Sequence, residues 1–150
     1  MPRPMRSRAL NASGVAAVEL ALIAPVIGLM LAGAIDLGMG LYAALEVRGA
    51  AEAGGQYVAL QGFDASAASQ AVTNATSLSG VTATPAPTQI CGCPGTTGIS
   101  TISCSSSCPD GTSPGTYARI HASVSYSPPI GFAGLAGPYL LQSHTMVRLR

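Results

Sequence analysis

Glu19 is the only charged residue between Arg8 and Asp36, and it lies in an otherwise apolar run, Val15–Ile35. A charged carboxylate in a spanning helix costs about 2.5–3.5 kcal/mol at the bilayer centre and less near an end. Such a group either reaches the headgroup layer or finds a cation. Glu19 is the fifth residue after Gly14, so it sits little more than one helical turn beyond Val15. Cleavage after Gly14 would free an amino group at Val15, the nearest candidate cation. The residues before the glycine carry Arg3, Arg6 and Arg8.

A second cluster with chemistry in it is Cys91, Cys93, Cys104 and Cys108, set in a stretch rich in Gly, Ser, Thr and Pro. In an oxidising compartment four cysteines this close read as two disulfides, with three connectivities. The two that join Cys91 and Cys93 to Cys104 and Cys108 close a hairpin-like loop. The third, Cys91–Cys93 with Cys104–Cys108, makes two very small rings, the first of them strained. Both cross-linking pairings are favoured, and the spacing does not choose between them. The metal alternative, a Cys-x-Cys…Cys-x3-Cys zinc knot, lacks histidine partners, and its thiolates would tend to oxidise outside the cytoplasm.

Other chemistry is not evident. His121 and His144 have no cysteine or carboxylate near them in sequence and read as surface histidines. There is no Gly-x-Ser-x-Gly, phosphate-cradling glycine loop or His-Glu-x-x-His. Asp110-Gly111 and Pro114-Gly115 read as turn formers. Asn74-Ala75-Thr76 fits a glycosylation sequon. Net charge is +1 and the seven basic residues, all Arg, are scattered, so no electrostatic track for nucleic acid exists. These features predict a structural or assembly protein rather than an enzyme. No cofactor, metal, small-molecule substrate or nucleic-acid partner is expected.

The elements that would position these groups begin with Val15–Ile35, long enough to cross a hydrocarbon core of about 30 Å at about 1.5 Å per residue. The three leader arginines and the absence of another basic residue before Arg48 place the leader in the cytoplasm and the chain after Asp36 outside. Pro25 removes one backbone hydrogen bond and invites a helix kink. Gly28/Ala32, Ala34/Gly38 and Gly40/Ala44 have the four-residue spacing that lets helices approach closely in lipid. Ala32-Gly33-Ala34 also matches a secretory cleavage pattern, but the apolar run exceeds the usual 7–15-residue signal core and Glu19 interrupts it.

Charged residues make up 9% of the 150-residue chain, and two phenylalanines, five tyrosines and no tryptophan are available to fill a core. One modest domain with a thin core follows, of the kind that outside the cell relies on disulfides. Helical character continues from Asp36 to about Gln61, with Leu37, Leu41 and Leu45 repeating and Ala51, Gly55 and Val58 roughly extending the stripe. Glu46, Arg48 and Glu52 lie off it, and Arg48 with Glu52 can form a solvated pair. Gly62-Phe63-Asp64 breaks the helix, and Asp64 or Ser66 caps a second one running to about Ser77.

From Gly80 the period shifts to two. Strands are expected at Val81–Ala86, Thr88–Cys93, Tyr117–Tyr126 and Gln142–Leu149. In the third, Ile120, Ala122, Val124 and Tyr126 share one face. The linker 128–138 is oddly apolar, and its Ile130, Phe132 and Leu135 either complete the core or form a sticky patch for lipid or a partner. The expected class is α+β: a long N-terminal membrane-spanning helix extending into an extracytoplasmic domain, with a second helix and a small antiparallel β-sheet. The boundaries are a leader at 1–14, a span at 15–35 and a domain at 36–150. That domain divides into a helix extension at 36–61, a second helix at 64–78 and a β-rich disulfide-containing region at 80–150.

The stretch Gly14-Val-Ala-Ala-Val-Glu19-Leu-Ala-Leu-Ile-Ala-Pro25 through Ala34-Ile-Asp36-Leu-Gly strongly resembles the start of TadE-like proteins. These are pseudopilins of the tight-adherence (Flp, type IVb-like) pilus system of bacteria. Ala50-Ala-Glu-Ala-Gly-Gly-Gln-Tyr57 resembles the family's small-residue helix with its closing aromatic, and the tail ending His144-Thr-Met-Val-Arg148 fits its final strand. The resemblance implies processing by prepilin peptidase after Gly14 and retention in the inner membrane. It also implies a pairing of Glu19 with the N-terminal amine of a neighbouring subunit. Implied partners are other pilins or pseudopilins and the pilus assembly platform, with the domain periplasmic or carried into the fibre. A rival from another class is a permanently anchored single-pass module that binds or adheres through its disulfide-closed loop and the 130–135 loop.

Overall fold

A computed structural model describes residues 10–96, 98–131 and 137–149, with side chains of the first helix described from Gly14 onward. Most of the leader, including Arg3, Arg6 and Arg8, and the loop residues Phe132 and Leu135 lie outside the described residues. The order of elements is α1 (Leu10–Gln61), α2 (Ala65–Asn74), β1 (Thr88–Gly95), β2 (Gly98–Ile102), β3 (Gly115–Tyr126) and β4 (Tyr139–Arg148). The fold is α+β, as expected from the sequence.

Helix α1 is continuous over 52 residues and runs unbroken through Pro25. At about 1.5 Å per residue it is about 78 Å long, more than twice a hydrocarbon core. Residues 14–31 are exposed, and its second half is the spine of the domain. Gly62 ends it in the left-handed region (φ 87°), where its N–H donates to the Val58 carbonyl at 3.1 Å. A residue without Cβ takes that conformation at no steric cost. Two residues later Asp64 caps α2, its Oδ1 accepting the Ala67 N–H at 2.9 Å. Helix α2 stops at Asn74, short of the expected Ser77. The reason is Thr76, whose hydroxyl donates to Glu46 Oε2 and accepts the Leu78 N–H, drawing the chain onto α1.

The strands form one antiparallel sheet in the order β2-β1-β3-β4. Helices α1 and α2 cover one face. Ala118, Ile120, Ala122 and Val124 of β3 point into that layer and meet Val47, Ala50, Ala51 and Val58 of α1 and Ala68 and Val72 of α2. The largest fully buried side chains are Ile120, Val47, Val58 and Val72, so the core is thin and built from small residues.

Gly54 and Gly55 make this closeness feasible. A Cβ at Gly54 would lie 2.6 Å from Val72 Cγ2 and 2.9 Å from Ile120 Cγ2, and one at Gly55 would lie 2.6 Å from Thr145 Cγ2. One glycine thus seats α2 and β3, and its neighbour seats β4.

Three expectations need correction. Leu37, Leu41 and Leu45 do not pack on the domain: they are 62%, 67% and 67% exposed. Ala51, Gly55 and Val58 are buried as expected, and the stripe continues toward the span through Gly54, Ala50, Val47, Ala43 and Asp36, because only small or slim side chains fit between helix and sheet. Glu46 is not a solvated face residue but a half-buried partner of Thr76. The segment Val81–Ala86 forms no strand. It makes one bridge, Thr82 with Ser123, through two backbone bonds of 2.9 Å. Pro85 and Pro87 lack the N–H groups that would extend the ladder. Strand β2, which alternation had not revealed, pairs with β1 instead.

Candidate membrane and assembly surface

Among the described residues, α1 is the one helix long and apolar enough to cross a membrane. Val15, Val18, Leu20, Leu22, Ile23, Val26, Ile27, Leu29, Met30 and Leu31 all stand exposed along it. The segment thus offers apolar side chains all round, as a helix surrounded by lipid or by other helices must. Glu19 projects from this surface, exposed and without a hydrogen bond or ion pair among the described residues. Around Gly14, Gly28 and Gly38 the helix surface is open: a Cβ there would meet nothing within 4 Å. Gly14 and Val15 are helical and exposed, and a scissile bond between them would lie within α1, not ahead of it.

The apolar surface does not end at Ile35. Between Glu19 and Glu46 the one charged residue is Asp36, and Asp36 is turned inward, 3% exposed. Its Oδ1 accepts the backbone N–H of Ile130 at 3.0 Å. This holds the loop after β3 against the helix at the level where the expected span ends. In sequence Asp36 ends the expected span; its inward role depends on a partner 94 residues away. Beside it lies an apolar groove of about 240 Å³ lined by Leu37, Gly40, Leu41, Tyr126, Tyr139 and Leu141. The Tyr126 hydroxyl is buried at this groove and has no hydrogen-bond partner among the described residues.

The far end of the domain is polar and stapled. Cys91 bonds to Cys104 and Cys93 to Cys108, with Cα separations of 5.1 and 5.7 Å. Both belong to the cross-linking type, and each joins β1 to the loop after β2. Cys91 and Cys93, two apart on β1, share a face, so both bridges pin that loop on the same side. The loop is folded by Asp110, whose Oδ1 accepts the Thr112 hydroxyl at 2.7 Å and the Thr112 N–H at 3.0 Å. Those two bonds hold the Asp110 carboxyl below its ordinary range. Gly111 supplies the positive φ (79°) of the turn.

Arg48 Nε donates to Glu52 Oε1 at 2.9 Å on the exposed side of α1, the solvated pair expected from their spacing. His121 and His144 face each other across β3 and β4, their ring centroids 5.7 Å apart. Burial above all, then His144 and Arg119, lowers the His121 pKa. Among the described residues no group of three or more His, Cys, Asp or Glu is placed to hold a metal ion.

Neither the curated proteins nor the solved structures gave a match to this chain. A family model did: residues 14–56 match the one described as TadE-like protein. The match starts at the glycine before the apolar run and ends one residue past the Gly54-Gly55 seat of the core. Over residues 14–56, less than half of its length, the chain is similar to TadE-like proteins, a family associated with Tad pili.

Proposed function

We propose that the chain is a minor pseudopilin that serves in the assembly of a tight-adherence, type IVb-like pilus. In this reading prepilin peptidase cuts after Gly14, and Val15–Ile35 holds the product in the inner membrane with residues 36–150 on the periplasmic side. The observation that carries it is Glu19. Among the described residues it stands unpaired on an apolar helix surface, within the matched segment, one turn from the residue that would become the N-terminus.

A carboxylate in that setting gains most from a cation that arrives with a neighbour. In lipid or in a packed helical fibre the pair is screened weakly, so attraction between Glu19 and the amine of a sister subunit sets the axial register of the two helices. The exposed glycines at 28 and 38 leave room for close approach. The stapled domain then supplies shape and no chemistry.

The test is co-assembly. Glu19→Ala should insert into the membrane as the natural chain does but lose its capture by cross-linking to other pilins. Undiminished cross-linking of that variant would refute the pairing role.

A further inference from the structure

We propose that the domain stands on the membrane through a lipid-contacting foot formed by Ile130 of the loop after β3 and Tyr139 and Leu140 at the start of β4, with Leu37, Leu41 and Tyr42 of α1. The inference rests on the reading that α1 spans the bilayer, and it adds a second, monotopic contact to that span.

Four observations converge on a lipid surface as the occupant. The first is continuity: the exposed leucines at 37, 41 and 45 prolong the apolar face of the span without a break. The second is depth. The bond from Ile130 N–H to Asp36 Oδ1 fixes the loop one residue beyond Ile35. From Asp36 to Tyr42 the helix rises about 9 Å, comparable with a headgroup layer of about 5–8 Å on each side of the hydrocarbon.

The third observation is charge. Residues 122–143 contain no ionisable carboxylate, histidine or arginine, and Asp36 is hidden, so this end of the domain presents no exposed charge. The exposed charges Arg48 and Glu52 and the His121–His144 pair lie further from the span. The fourth is the placing of tyrosines. Tyr126 and Tyr139 are cross-strand partners at the end of the sheet, and Tyr126 packs beside Gly40 of α1. With Tyr42 on the helix, three of the five tyrosines gather at this level. Amphipathic rings of this kind concentrate at membrane–water interfaces.

Ile130, Tyr139 and Leu140 are 50%, 40% and 65% exposed. In water each forfeits part of the burial that a large apolar side chain favours. Among upper acyl chains and headgroups they recover part of it. The domain is thereby held upright on α1 by three points: the span, the Asp36 bond and the foot.

The chain contains no tryptophan, which makes single-tryptophan fluorescence a clean probe. Full-length L140W, I130W, L29W and L60W variants would be placed in phosphatidylethanolamine–phosphatidylglycerol vesicles containing acyl-brominated lipid. The expected result is strong quenching for L29W, quenching of L140W and I130W by shallow bromines, and none for L60W at the far end of α1. Quenching of L29W with L140W and I130W behaving like L60W would overturn the foot while leaving the span intact. Absence of quenching for L29W would overturn both. Shielding of L140W from aqueous acrylamide without quenching by brominated lipid, growing with protein density, would assign the surface to a second copy and overturn the lipid contact.

Discussion

Asp36 and Ile130 are joined across 94 residues by a hydrogen bond, the carboxylate oxygen accepting the backbone N–H at 3.0 Å. That bond ties the loop following β3 to the helix at the point where the expected span ends. It removes the one charge that would otherwise interrupt an apolar surface running from Leu20 to Leu45. The fold and the proposed membrane contact therefore meet at the same side chain.

Asp36→Ala should lower the stability of the folded domain in detergent by about 1–3 kcal/mol, because a half-buried N–H loses its acceptor. Asp36→Asn keeps an acceptor oxygen and should lose less. Thermal unfolding of the two variants, followed by circular dichroism, distinguishes them. Equal losses would mean that charge, not the hydrogen bond, is what matters.

Three glycines of one helix should respond oppositely to alanine. Helix propensity favours alanine by about 0.8–1 kcal/mol, and overpacking a core costs about 1–3 kcal/mol. At Gly49 a Cβ meets nothing within 4 Å, so the gain stands and Gly49→Ala should stabilise. At Gly54 and Gly55 the 2.6 Å approaches make overpacking the larger effect, and both substitutions should destabilise. Denaturant midpoints would read the sign directly.

Peptide mapping without reduction should recover Cys91 joined to Cys104 and Cys93 joined to Cys108. These bridges close loops with sequence separations of 13 and 15. In the chain-entropy account each contributes about 3 kcal/mol, as much as burying one large aliphatic side chain at about 1.5–3 kcal/mol. Removing one pair by paired serine substitution should therefore lower the unfolding temperature more than Ile120→Val, which typically costs about 0.5–1.5 kcal/mol.

Acid should weaken the domain through His121. Its pKa is lowered from 6.5 by burial first and then by His144 and Arg119, so the unfolded chain binds the proton more readily. This contribution is fully present above about pH 6.5 and is lost as pH falls through the folded-state value. His121→Gln should flatten that part of the stability profile, measured as unfolding temperature from pH 8 to pH 5. An unchanged slope would exclude His121 as its source.

The helix, its matched segment, the strands β3 and β4 and the disulfide staple were legible because each has a local signature. An uncharged run, a two-residue alternation and a tight cysteine cluster are all visible in neighbouring residues. Which face of α1 would be buried was not. Leucines every four residues suggest a core stripe, yet the domain selected the alanine and glycine face, since only those residues allow α2 and the sheet to close on the helix. The same holds for Asp36 and Glu46, whose partners Ile130 and Thr76 are remote in the chain. Strand β2, rich in Gly, Ser and Thr, shows itself only through its pairing with β1.

In the proposed reading, Glu19 is tolerated because cleavage creates a cation for it to meet. N-terminal sequencing of the chain extracted from membranes of cells with an intact prepilin peptidase measures this most directly. The expected sequence starts Val-Ala-Ala-Val-Glu, from Val15 to Glu19. A chain that still begins at Met1, arginines in place, would contradict it.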